Sequence, residues 1–264
     1  MSVTHSKTEM VLITGASSGI GLELAKCFAA DKSNLILVAR NQVALEKLAA
    51  ELRHKHGIEV HVLPVDLAQP ESAQKIFEQT GRAGHHVDVL VNNAGFGLQG
   101  GFTQLPLSRQ LEIIHVNITA LTALTGLFLP GMLERRRGGI LNVGSVAGFL
   151  PGPNMAVYYA SKAFVQSFTE ALAAEFSGRG VTINVLCPGP TESNFGQVAR
   201  GDKVRPVQVR KMPAQAVAIA GHKSFRAGKV ICVPGTANKL LVFTPRILPR
   251  NLSRKLVKRY NSVK

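Results

Sequence analysis

A tyrosine and a lysine in the second half of the chain, Tyr158 and Lys162, stand four residues apart. On a helix this spacing places the two side chains about 40° apart around the axis and one turn apart along it. A free phenol has a pKa of about 10 and is a poor proton shuttle at neutral pH, but a neighbouring ammonium favours its anion and lowers that pKa. Lys162 is placed to lower the pKa of the Tyr158 phenol. Tyr159 lies about 100° from Tyr158 around the same helix, so the two tyrosines cannot share one role.

A glycine-rich segment, Thr14-Gly15-Ala16-Ser17-Ser18-Gly19-Ile20-Gly21, follows a short apolar run near the N-terminus. Its glycines have the spacing GxxxGxG, and an amphipathic helical pattern begins at about Leu22. Glycines at a strand-to-helix turn let the backbone approach a pyrophosphate, and the helix N-terminus supplies oriented N–H groups with a partial positive charge. The segment therefore predicts a dinucleotide site. Its candidate residues are Gly15, Ser17, Ser18, Gly19, Ile20 and Gly21.

The residues after the second apolar run indicate which dinucleotide is bound. An acid about 20 residues beyond the glycines would hold a ribose 2′-hydroxyl, but Ala39-Arg40-Asn41 occupies that place. Because a guanidinium can pair with a 2′-phosphate, Arg40 favours NADP(H) over NAD(H). The alternative is that Arg40 is only a solvated residue at the start of a loop. After the third run, the carboxylate of Asp66 in Val65-Asp66-Leu67 can hold an adenine amino group.

These candidates lie at the ends of short apolar runs, rich in β-branched residues, that alternate with longer helical patterns. Runs this uniformly apolar fit a parallel sheet covered on both faces, and the segments between them have room for crossover helices. We therefore predict an α/β fold, a doubly wound Rossmann-type parallel sheet of about seven strands. The predicted strands are Met10–Thr14, Leu35–Ala39, Val60–Val65, Val87–Asn92, Gly139–Gly144, Val181–Leu186 and Lys229–Val233.

Further signatures stand in order along the chain. Asn92-Asn93-Ala94-Gly95 ends the fourth run, Asn117 lies within a long helix that begins near Leu107, and Ser145 closes the fifth run. Together with TGASSGIG, the YxxxK of Tyr158 and Lys162, and Pro188-Gly189, they make the sequence resemble the short-chain dehydrogenase/reductase superfamily, in its single-domain branch of roughly 250 residues. The resemblance covers about residues 8–235.

The resemblance implies a role for each of these residues. YxxxK selects Tyr158 as the general acid, which protonates the alkoxide oxygen that forms as hydride passes from nicotinamide to a carbonyl carbon. Ser145 would hydrogen-bond the same oxygen, so Ser145 and Tyr158 contact the substrate. Lys162 would hold the nicotinamide ribose, Asn117 would position a water that relays protons, and Tyr159 packs or shapes the pocket. The implied cofactor contacts beyond the glycine-rich segment are Arg40, Asp66, Leu67, Asn93, Ala94, Gly95, Tyr158, Lys162, Pro188, Gly189 and Thr191.

Substrate choice should depend on three regions, Phe96–Phe102, Phe149–Met155 and Asn194–Pro213 with the tail. The first two are rich in apolar residues, glycine and proline, so an apolar pocket is expected. Three functions follow: an NADPH-dependent reductase of a hydrophobic ketone, aldehyde or acyl chain; a 3-oxoacyl thioester reductase whose basic tail docks an acidic carrier; and an NADPH-binding sensor or scaffold without turnover. The complete catalytic set counts against the third.

The resemblance also implies a homo-oligomer, a dimer or tetramer, commonly formed through the helices of Asn117 and Tyr158.

The net charge of +15 is confined to the end of the chain. Residues 1–199 hold 15 Lys and Arg against 15 Asp and Glu, and residues 200–264 hold the other 16 bases against one acid, Asp202. A neutral body followed by a basic tail argues against a specific nucleic-acid-binding fold. We divide the chain into a catalytic domain, 1–235, and a basic extension, 236–264.

A basic amphipathic helix is predicted from Pro249 onward. Its apolar positions, Leu248, Leu252, Leu256 and Tyr260, recur every four residues, and Arg250, Arg254, Lys255 and Lys258 lie mostly on the other side. The helix either packs on the body and solvates its outer face, or docks on an anionic membrane surface.

Targeting and metal-binding patterns add little. Residues 1–9 are polar, no run approaches about 18 uninterrupted apolar residues, and the apolar stretch Ile118–Leu133 is interpreted as a core helix. Three cysteines without CxxC spacing, and eight histidines without HExxH or a Cys/His pairing, predict neither disulfides nor a metal site. We therefore expect a cytoplasmic protein, with peripheral membrane contact as an option for the tail.

Overall fold

A computed structural model of the protein describes residues 8–193, 195, 199, 211–246 and 248–262. Seven parallel strands form the central sheet in the order β3-β2-β1-β4-β5-β6-β9, and β7 and β8 form a small second sheet. The strands are β1 Met10–Thr14, β2 Asn34–Ala39, β3 Val60–Pro64, β4 Val89–Asn92, β5 Gly139–Val143, β6 Thr182–Leu186, β7 Thr191–Glu192, β8 Met212–Pro213 and β9 Ile231–Cys232. The helices are α1 Gly19–Ala30, α2 Gln42–His56, α3 Ser72–Arg82, α4 Leu107–Ile114, α5 Leu121–Glu134, α6 Ala156–Glu175, α7 Ala214–Arg226, α8 Thr236–Phe243 and α9 Arg250–Asn261.

The predicted doubly wound sheet is confirmed. Each predicted strand is present within one or two residues of its predicted ends, and β9 is the shortest of the seven. The sequence analysis did not predict the short β7–β8 pair, in which Thr191 lies beside Met212. Two-residue strands carry no periodicity, so no sequence pattern could identify them.

The two faces of the sheet build two cores. Along β1, Val11 and Ile13 pack with α1, α2 and α7, while Leu12 between them packs with α3 and α5 on the opposite face. Because successive side chains of a strand point to opposite faces, a strand that is apolar throughout requires helices on both sides. The helices thereby leave the carboxyl ends of the strands open at one edge.

The segment Leu107–Glu134 is a continuous run of helix that is long and apolar enough to cross a membrane. Its second half nevertheless packs on the sheet, where Leu124, Phe128 and Met132 are buried in the core of the α3 side. This packing agrees with the interpretation as a core helix. Between α4 and α5, His115–Ala120 adopts a π-helical turn, a local irregularity that is frequent at functional sites.

The predicted terminal helix is present as α9. It contacts the body through Ser253, Val257 and Asn261, which are buried. Of the predicted apolar stripe, Leu248 is half-buried, whereas Leu252, Leu256 and Tyr260 are exposed. The side of the helix that faces the body is therefore not the side of the stripe.

Candidate active site

The turn after β1 is held to the end of β4 by a set of hydrogen bonds. The Asn93 side-chain amide donates to the carbonyl oxygens of Thr14 at 2.9 Å and of Gly15 at 3.1 Å. The Thr14 hydroxyl accepts the backbone N–H groups of Asn93 at 3.0 Å and Ala94 at 3.1 Å. It also donates to the carbonyl oxygen of Val91 at 3.2 Å. Two predicted cofactor motifs, one after each central strand, are therefore one structural unit.

Gly15 and Gly21 are required by this close approach. A Cβ atom on Gly15 would lie 2.7 Å from Asn93 Nδ2 and 2.9 Å from the Ala94 Cα atom, and the φ of Gly15 is +65°. A Cβ atom on Gly21 would overlap both Asn93 Nδ2 and the Gly15 carbonyl oxygen. The helix α1 can therefore begin directly against the sheet, with its N-terminus at the carboxyl edge.

The N-terminus of α1 has the features of an anion site. Ser18 is the N-cap residue, its side chain makes no capping hydrogen bond, and no acidic residue lies in the first turn. The free N–H groups and the helix dipole favour a phosphate there. The Ile20 side chain packs against the core, so the backbone of that residue faces the site. The residues present therefore fit the pyrophosphate of a dinucleotide.

Arg40 and Asp66 lie at the ends of neighbouring strands. Arg40 is exposed directly after β2, and among the described residues it has no hydrogen-bond or ion-pair partner. The Val65 N–H donates to the Ala39 carbonyl oxygen at 3.2 Å, which places the segment before Asp66 beside Arg40. Asp66 is partly occupied as an acceptor of the Ala68 N–H at 3.0 Å. The Leu67 side chain is buried in the core, so only its backbone is available to a ligand.

Asn117 lies in the π-helical turn, and both hydrogens of its amide are used within the protein. Its Nδ2 donates to the Phe96 carbonyl oxygen and to Ser161 Oγ, each at 3.0 Å, and its Oδ1 accepts the Phe96 N–H at 3.1 Å. Ser161 Oγ in turn donates to the carbonyl oxygen of Tyr158 at 2.7 Å. The side chain of Asn117 thus fixes the loop after β4 to the helix that carries Tyr158.

Ser145, Tyr158 and Lys162 lie at the carboxyl edge beside this network, and all three are buried. Ser145 Oγ accepts the Ala147 N–H at 3.1 Å and forms a hydrogen bond that favours the Tyr158 anion. Lys162 Nζ donates to the Val143 carbonyl oxygen at 2.7 Å. A Cβ atom on Gly95 would lie 3.0 Å from Asn117 Oδ1 and 3.3 Å from Lys162 Nζ. The structure therefore brings the four predicted catalytic residues to one place.

The expected lowering of the Tyr158 pKa is wrong for this structure. Burial raises the pKa of Tyr158 to about 12, and the hydrogen bond from Ser145 opposes this only in part. Lys162 makes no hydrogen bond to the phenol, and burial lowers its own pKa to about 8. Helical spacing places both residues at the site, but Lys162 Nζ bonds the Val143 carbonyl oxygen and desolvation is the largest influence on the pKa of the phenol.

Pro188, Gly189 and Thr191 follow β6 at the same edge. The Pro188 carbonyl oxygen accepts the Val146 N–H at 3.0 Å, and Thr191 Oγ1 donates to the Gly189 carbonyl oxygen at 2.9 Å. Further along the chain, Ser193 lies next to the glycine-rich turn. A Cβ atom added to Gly19 would lie 3.2 Å from the Ser193 Cβ atom. The predicted nicotinamide side and pyrophosphate side of the site are therefore adjacent.

A small apolar cavity of about 40 Å³ reaches Tyr158. It is lined from the first substrate region by Leu98, Gly100 and Phe102, from the second by Asn154 and Met155, and further by Leu105 and Ile113. The Gly100 N–H donates to the Asn154 carbonyl oxygen at 2.8 Å, which joins the two regions. Most of the third region, Asn194–Pro213, lies outside the described residues, but the Phe195 ring centroid is 5.1 Å from that of Tyr158.

Sequence reasoning missed three contributors to the site. Thr14 is the first residue of the glycine-rich segment, but its hydrogen bonds to the end of β4 depend on the order of the strands in the sheet. Ser161 connects Asn117 to Tyr158, and its only sequence signal is its place inside YxxxK. Asn261 in α9 lies 3.4 Å from the Tyr159 hydroxyl, a contact over 102 residues of sequence. Tyr159 itself packs beside Tyr158, as expected, with the ring centroids 6.0 Å apart.

Comparisons with known proteins agree with this geometry. A family model described as short chain dehydrogenase matches residues 9–203. Among characterised proteins, the chain is 35% identical over 238 residues to a very-long-chain 3-oxoacyl-CoA reductase of Phaeosphaeria nodorum, a match that covers 89% of this chain and 67% of that protein.

Two solved structures are similar over nearly the whole chain. A short-chain dehydrogenase from Sphingobium yanoikuyae in complex with NADPH has a TM-score of 0.80 and 33% identity, and the match covers 90% of this chain and 93% of that one. A short-chain dehydrogenase/reductase from Burkholderia phymatum in complex with NAD has a TM-score of 0.79 and 26% identity, with 89% and 92% covered. The two similar structures thus hold different dinucleotides.

The pKa of Lys162 predicts how cofactor affinity depends on pH. Because that pKa is lowered to about 8, the free protein loses the ammonium as the pH rises through this value. If Lys162 holds the cofactor ribose as the sequence predicts, the hydrogen bonds that it donates to the ribose hydroxyls then weaken. We expect the Kd for NADPH, measured by fluorescence titration, to be constant at neutral pH and to rise above pH 8 by up to about tenfold per pH unit. The Lys162→Met variant should bind NADPH more weakly, and its Kd should show no rise above pH 8. An affinity that does not change up to about pH 9.5 would contradict the assignment.

Proposed function

The chain belongs to the short-chain dehydrogenase family and is an NAD(P)-dependent oxidoreductase of carbonyl and alcohol groups, and we propose that it is an NADPH-dependent reductase of a hydrophobic carbonyl compound. The observation that carries this proposal is the convergence of Asn117, Ser145, Tyr158 and Lys162 beside an apolar cavity that Tyr158 helps to line. A binding protein without turnover would have no use for a buried ammonium and a buried phenol in one place. The proposal for a sensor or scaffold is therefore the weakest of the three.

Each side chain has a defined task in carbonyl reduction. The bound cofactor supplies a hydride from its nicotinamide. Tyr158 donates its phenolic proton to the carbonyl oxygen, and its pKa of about 12 keeps the phenol protonated throughout the neutral range. Ser145 hydrogen-bonds the same oxygen and stabilises the negative charge that develops there. At neutral pH the phenol is therefore in the protonated form that a general acid needs for carbonyl reduction.

Lys162 and Asn117 prepare the site for this step. The Lys162 ammonium would hold the ribose hydroxyls of the cofactor, as in the family. The Asn117 side chain joins the loop after β4 to the helix α6, because it bonds both Phe96 and Ser161. With both amide hydrogens used in this way, Asn117 acts on the position of Tyr158. A water that relays protons near Asn117 remains part of the proposal.

The preference for NADP(H) rests on Arg40. Its guanidinium is exposed at the carboxyl end of β2, where a 2′-phosphate would lie, and no carboxylate follows β2 to hold a ribose 2′-hydroxyl. An exposed guanidinium without a partner among the described residues can form a bidentate pair with a phosphate. The NADPH complex of the Sphingobium yanoikuyae protein supports this preference by similarity.

The substrate is proposed to be hydrophobic, with a 3-oxoacyl thioester as the second candidate. The apolar lining of the cavity supports the first statement. The name of the Phaeosphaeria nodorum relative supports the second, since that protein reduces a very-long-chain 3-oxoacyl-CoA. Both substrates place a carbonyl at Tyr158 and an apolar chain in the cavity, so they differ in the group that lies beyond it.

A homo-oligomer is also proposed. Leu107, Leu111 and Ile114 are exposed on α4, and Phe164 is exposed on α6. These helices carry or adjoin Asn117 and Tyr158, through which members of the family commonly associate. Burying these side chains against a second copy would stabilise a dimer or a tetramer.

Tyr158→Phe should abolish turnover and leave cofactor binding intact. Loss of a general acid lowers kcat by about 10²- to 10⁴-fold, while the ring still fills its place beside Phe195. NADPH oxidation and NADPH affinity are to be measured on the same preparation. Tyr159→Phe is the matched control and should retain kcat within about threefold, a change of less than 1 kcal/mol. Turnover by Tyr158→Phe comparable to that of the unmodified protein would overturn the assignment.

Arg40→Ala should reduce the preference for NADPH over NADH by about 10- to 100-fold, because a charge-assisted hydrogen bond contributes about 1.5–3 kcal/mol. The ratio of kcat/KM for the two cofactors measures this preference. Arg82→Ala, at a well-exposed arginine of α3, should leave the ratio unchanged. If Arg40→Ala also leaves the ratio unchanged, Arg40 is only a solvated loop residue.

A panel of ketones, aldehydes and 3-oxoacyl thioesters of increasing chain length tests the substrate class. Each buried methylene contributes about 0.8 kcal/mol, so kcat/KM should rise about fourfold per methylene until the pocket is filled. Higher kcat/KM for the thioesters than for ketones of equal chain length would favour the second candidate. A kcat/KM that does not depend on chain length would contradict an apolar pocket.

A further inference from the structure

The terminal helix α9 is packed with its polar side inward. Its buried residues are Ser253, Val257 and Asn261, of which Asn261 is only 2% exposed. Leu252, Leu256 and Tyr260 are 44%, 53% and 43% exposed. A helix that served only to complete the core would bury its leucines and leave serine and asparagine in water. The observed orientation therefore calls for another explanation.

Hydrogen bonds at the end of α9 fix this orientation. Asn261 Nδ2 donates to the Pro153 carbonyl oxygen at 3.0 Å, and Gln99 Nε2 donates to the Asn261 carbonyl oxygen at 3.0 Å. Asn154 Nδ2 also donates to that carbonyl oxygen at 3.4 Å. Because these partners belong to both substrate regions, the hydrogen bonds hold the end of the helix against both regions. Its leucines cannot turn inward without breaking a buried polar cluster.

The exposed side of α9 has an apolar stripe with a basic flank. At about 100° per residue, Leu252, Leu256 and Tyr260 lie within about 80° of the helix circumference. The basic residues of the helix are all exposed. Four of them occupy the arc that the stripe and the buried face leave free, namely Arg254, Lys255, Lys258 and Arg259, while Arg250 lies at the first position of the helix. Such a distribution is typical of helices that lie in the plane of a membrane interface.

The preceding helix α8 adds to this surface. All of its residues are described and none is buried, and Leu240 and Phe243 are 67% and 50% exposed. α8 contacts the 3-10 helix Val146–Phe149, and Ala147 of that helix clusters with Val257 of α9 and with Tyr158. Both tail helices thus border the active site.

The charge of the tail identifies the partner. Residues 236–264 contain eight Lys and Arg and no Asp or Glu. A second copy of this tail would be repelled by like charge, whereas an anionic lipid surface attracts each such residue by about 1 kcal/mol. Exposed leucine and phenylalanine side chains then enter the boundary between headgroups and acyl chains.

We propose that this tail surface, formed by Leu240, Phe243, Leu252, Leu256 and Tyr260 with the bases of α9, docks on an anionic lipid bilayer. Docking would bring the two substrate regions, which bond the end of α9, to the membrane surface. The proposal does not depend on the reaction catalysed, because vesicle binding is measured without turnover. A failure of the reductase assignment would leave it intact.

Co-sedimentation of the full chain with lipid vesicles tests the proposal. Vesicles of phosphatidylcholine with about 30% phosphatidylglycerol should bind the protein at low salt, and vesicles of phosphatidylcholine alone should bind at least tenfold less. Binding should weaken in 0.5 M NaCl, where the Debye length is only about 4 Å. Leu252→Gln/Leu256→Gln and Lys255→Glu/Lys258→Glu should each lower the partition coefficient at least tenfold.

Matched controls lie on α2, away from the tail. Val43→Gln changes a side chain that is 81% exposed, and Lys47→Glu/Lys55→Glu changes the net charge by the same amount as the tail variant. Each should alter vesicle binding less than twofold, and all variants should keep the unfolding temperature of the unmodified protein. The proposal is overturned if anionic vesicles do not bind, or if the tail and α2 variants behave alike. It is also overturned if Leu252→Gln/Leu256→Gln instead lowers the molar mass measured by light scattering, since a second copy then covers the stripe.

Discussion

The Asn93 amide holds the two central strands of the sheet in the relation on which the site depends. β1 and β4 are neighbours where the strand order reverses, with β2 and β3 on one side and β5, β6 and β9 on the other. A crevice opens at such a point, because the connections leave the two strands in opposite directions. Asn93 spans this crevice and binds the turn that begins α1. The lack of side chains at Gly15 and Gly21 follows from that contact, and the Thr14 hydroxyl reinforces it through the backbone of Asn93 and Ala94.

Much of this arrangement could be predicted from sequence because it depends on short-range rules. Apolar runs that are not interrupted by polar residues indicate a sheet covered on both faces, and parallel strands bring their carboxyl ends to one edge. Residues at the ends of five different runs then lie along the same edge of the sheet. Ser145 and Arg40 could therefore be placed at one edge without a tertiary structure. The π-helical turn at Asn117 could not, since it has no periodicity of its own.

What could not be predicted depends on solvent exclusion and on distant contacts. The pKa of Tyr158 is set by how completely the surrounding loops cover the phenol, and helical spacing carries no information on that. The orientation of α9 is set by Asn261, whose partners lie more than 100 residues away. Amphipathic periodicity identifies two sides of a helix, but it does not tell which side the body will cover. Here the buried side is the one with Asn261, whose side chain bonds Pro153 and Tyr159, and not the one with Leu252 and Leu256.

Burial of Lys162 makes the folded chain less stable than it would be without an active site. Folding depresses the pKa of this group from 10.5 to about 8, so the native state disfavours the ammonium. The loss is about 3 kcal/mol below pH 8 and disappears as the pH rises through 10.5. An apolar residue of similar length at this position would not lower the free energy of unfolding in this way. Screens that select variants of this protein for heat resistance alone are therefore expected to enrich substitutions of Lys162.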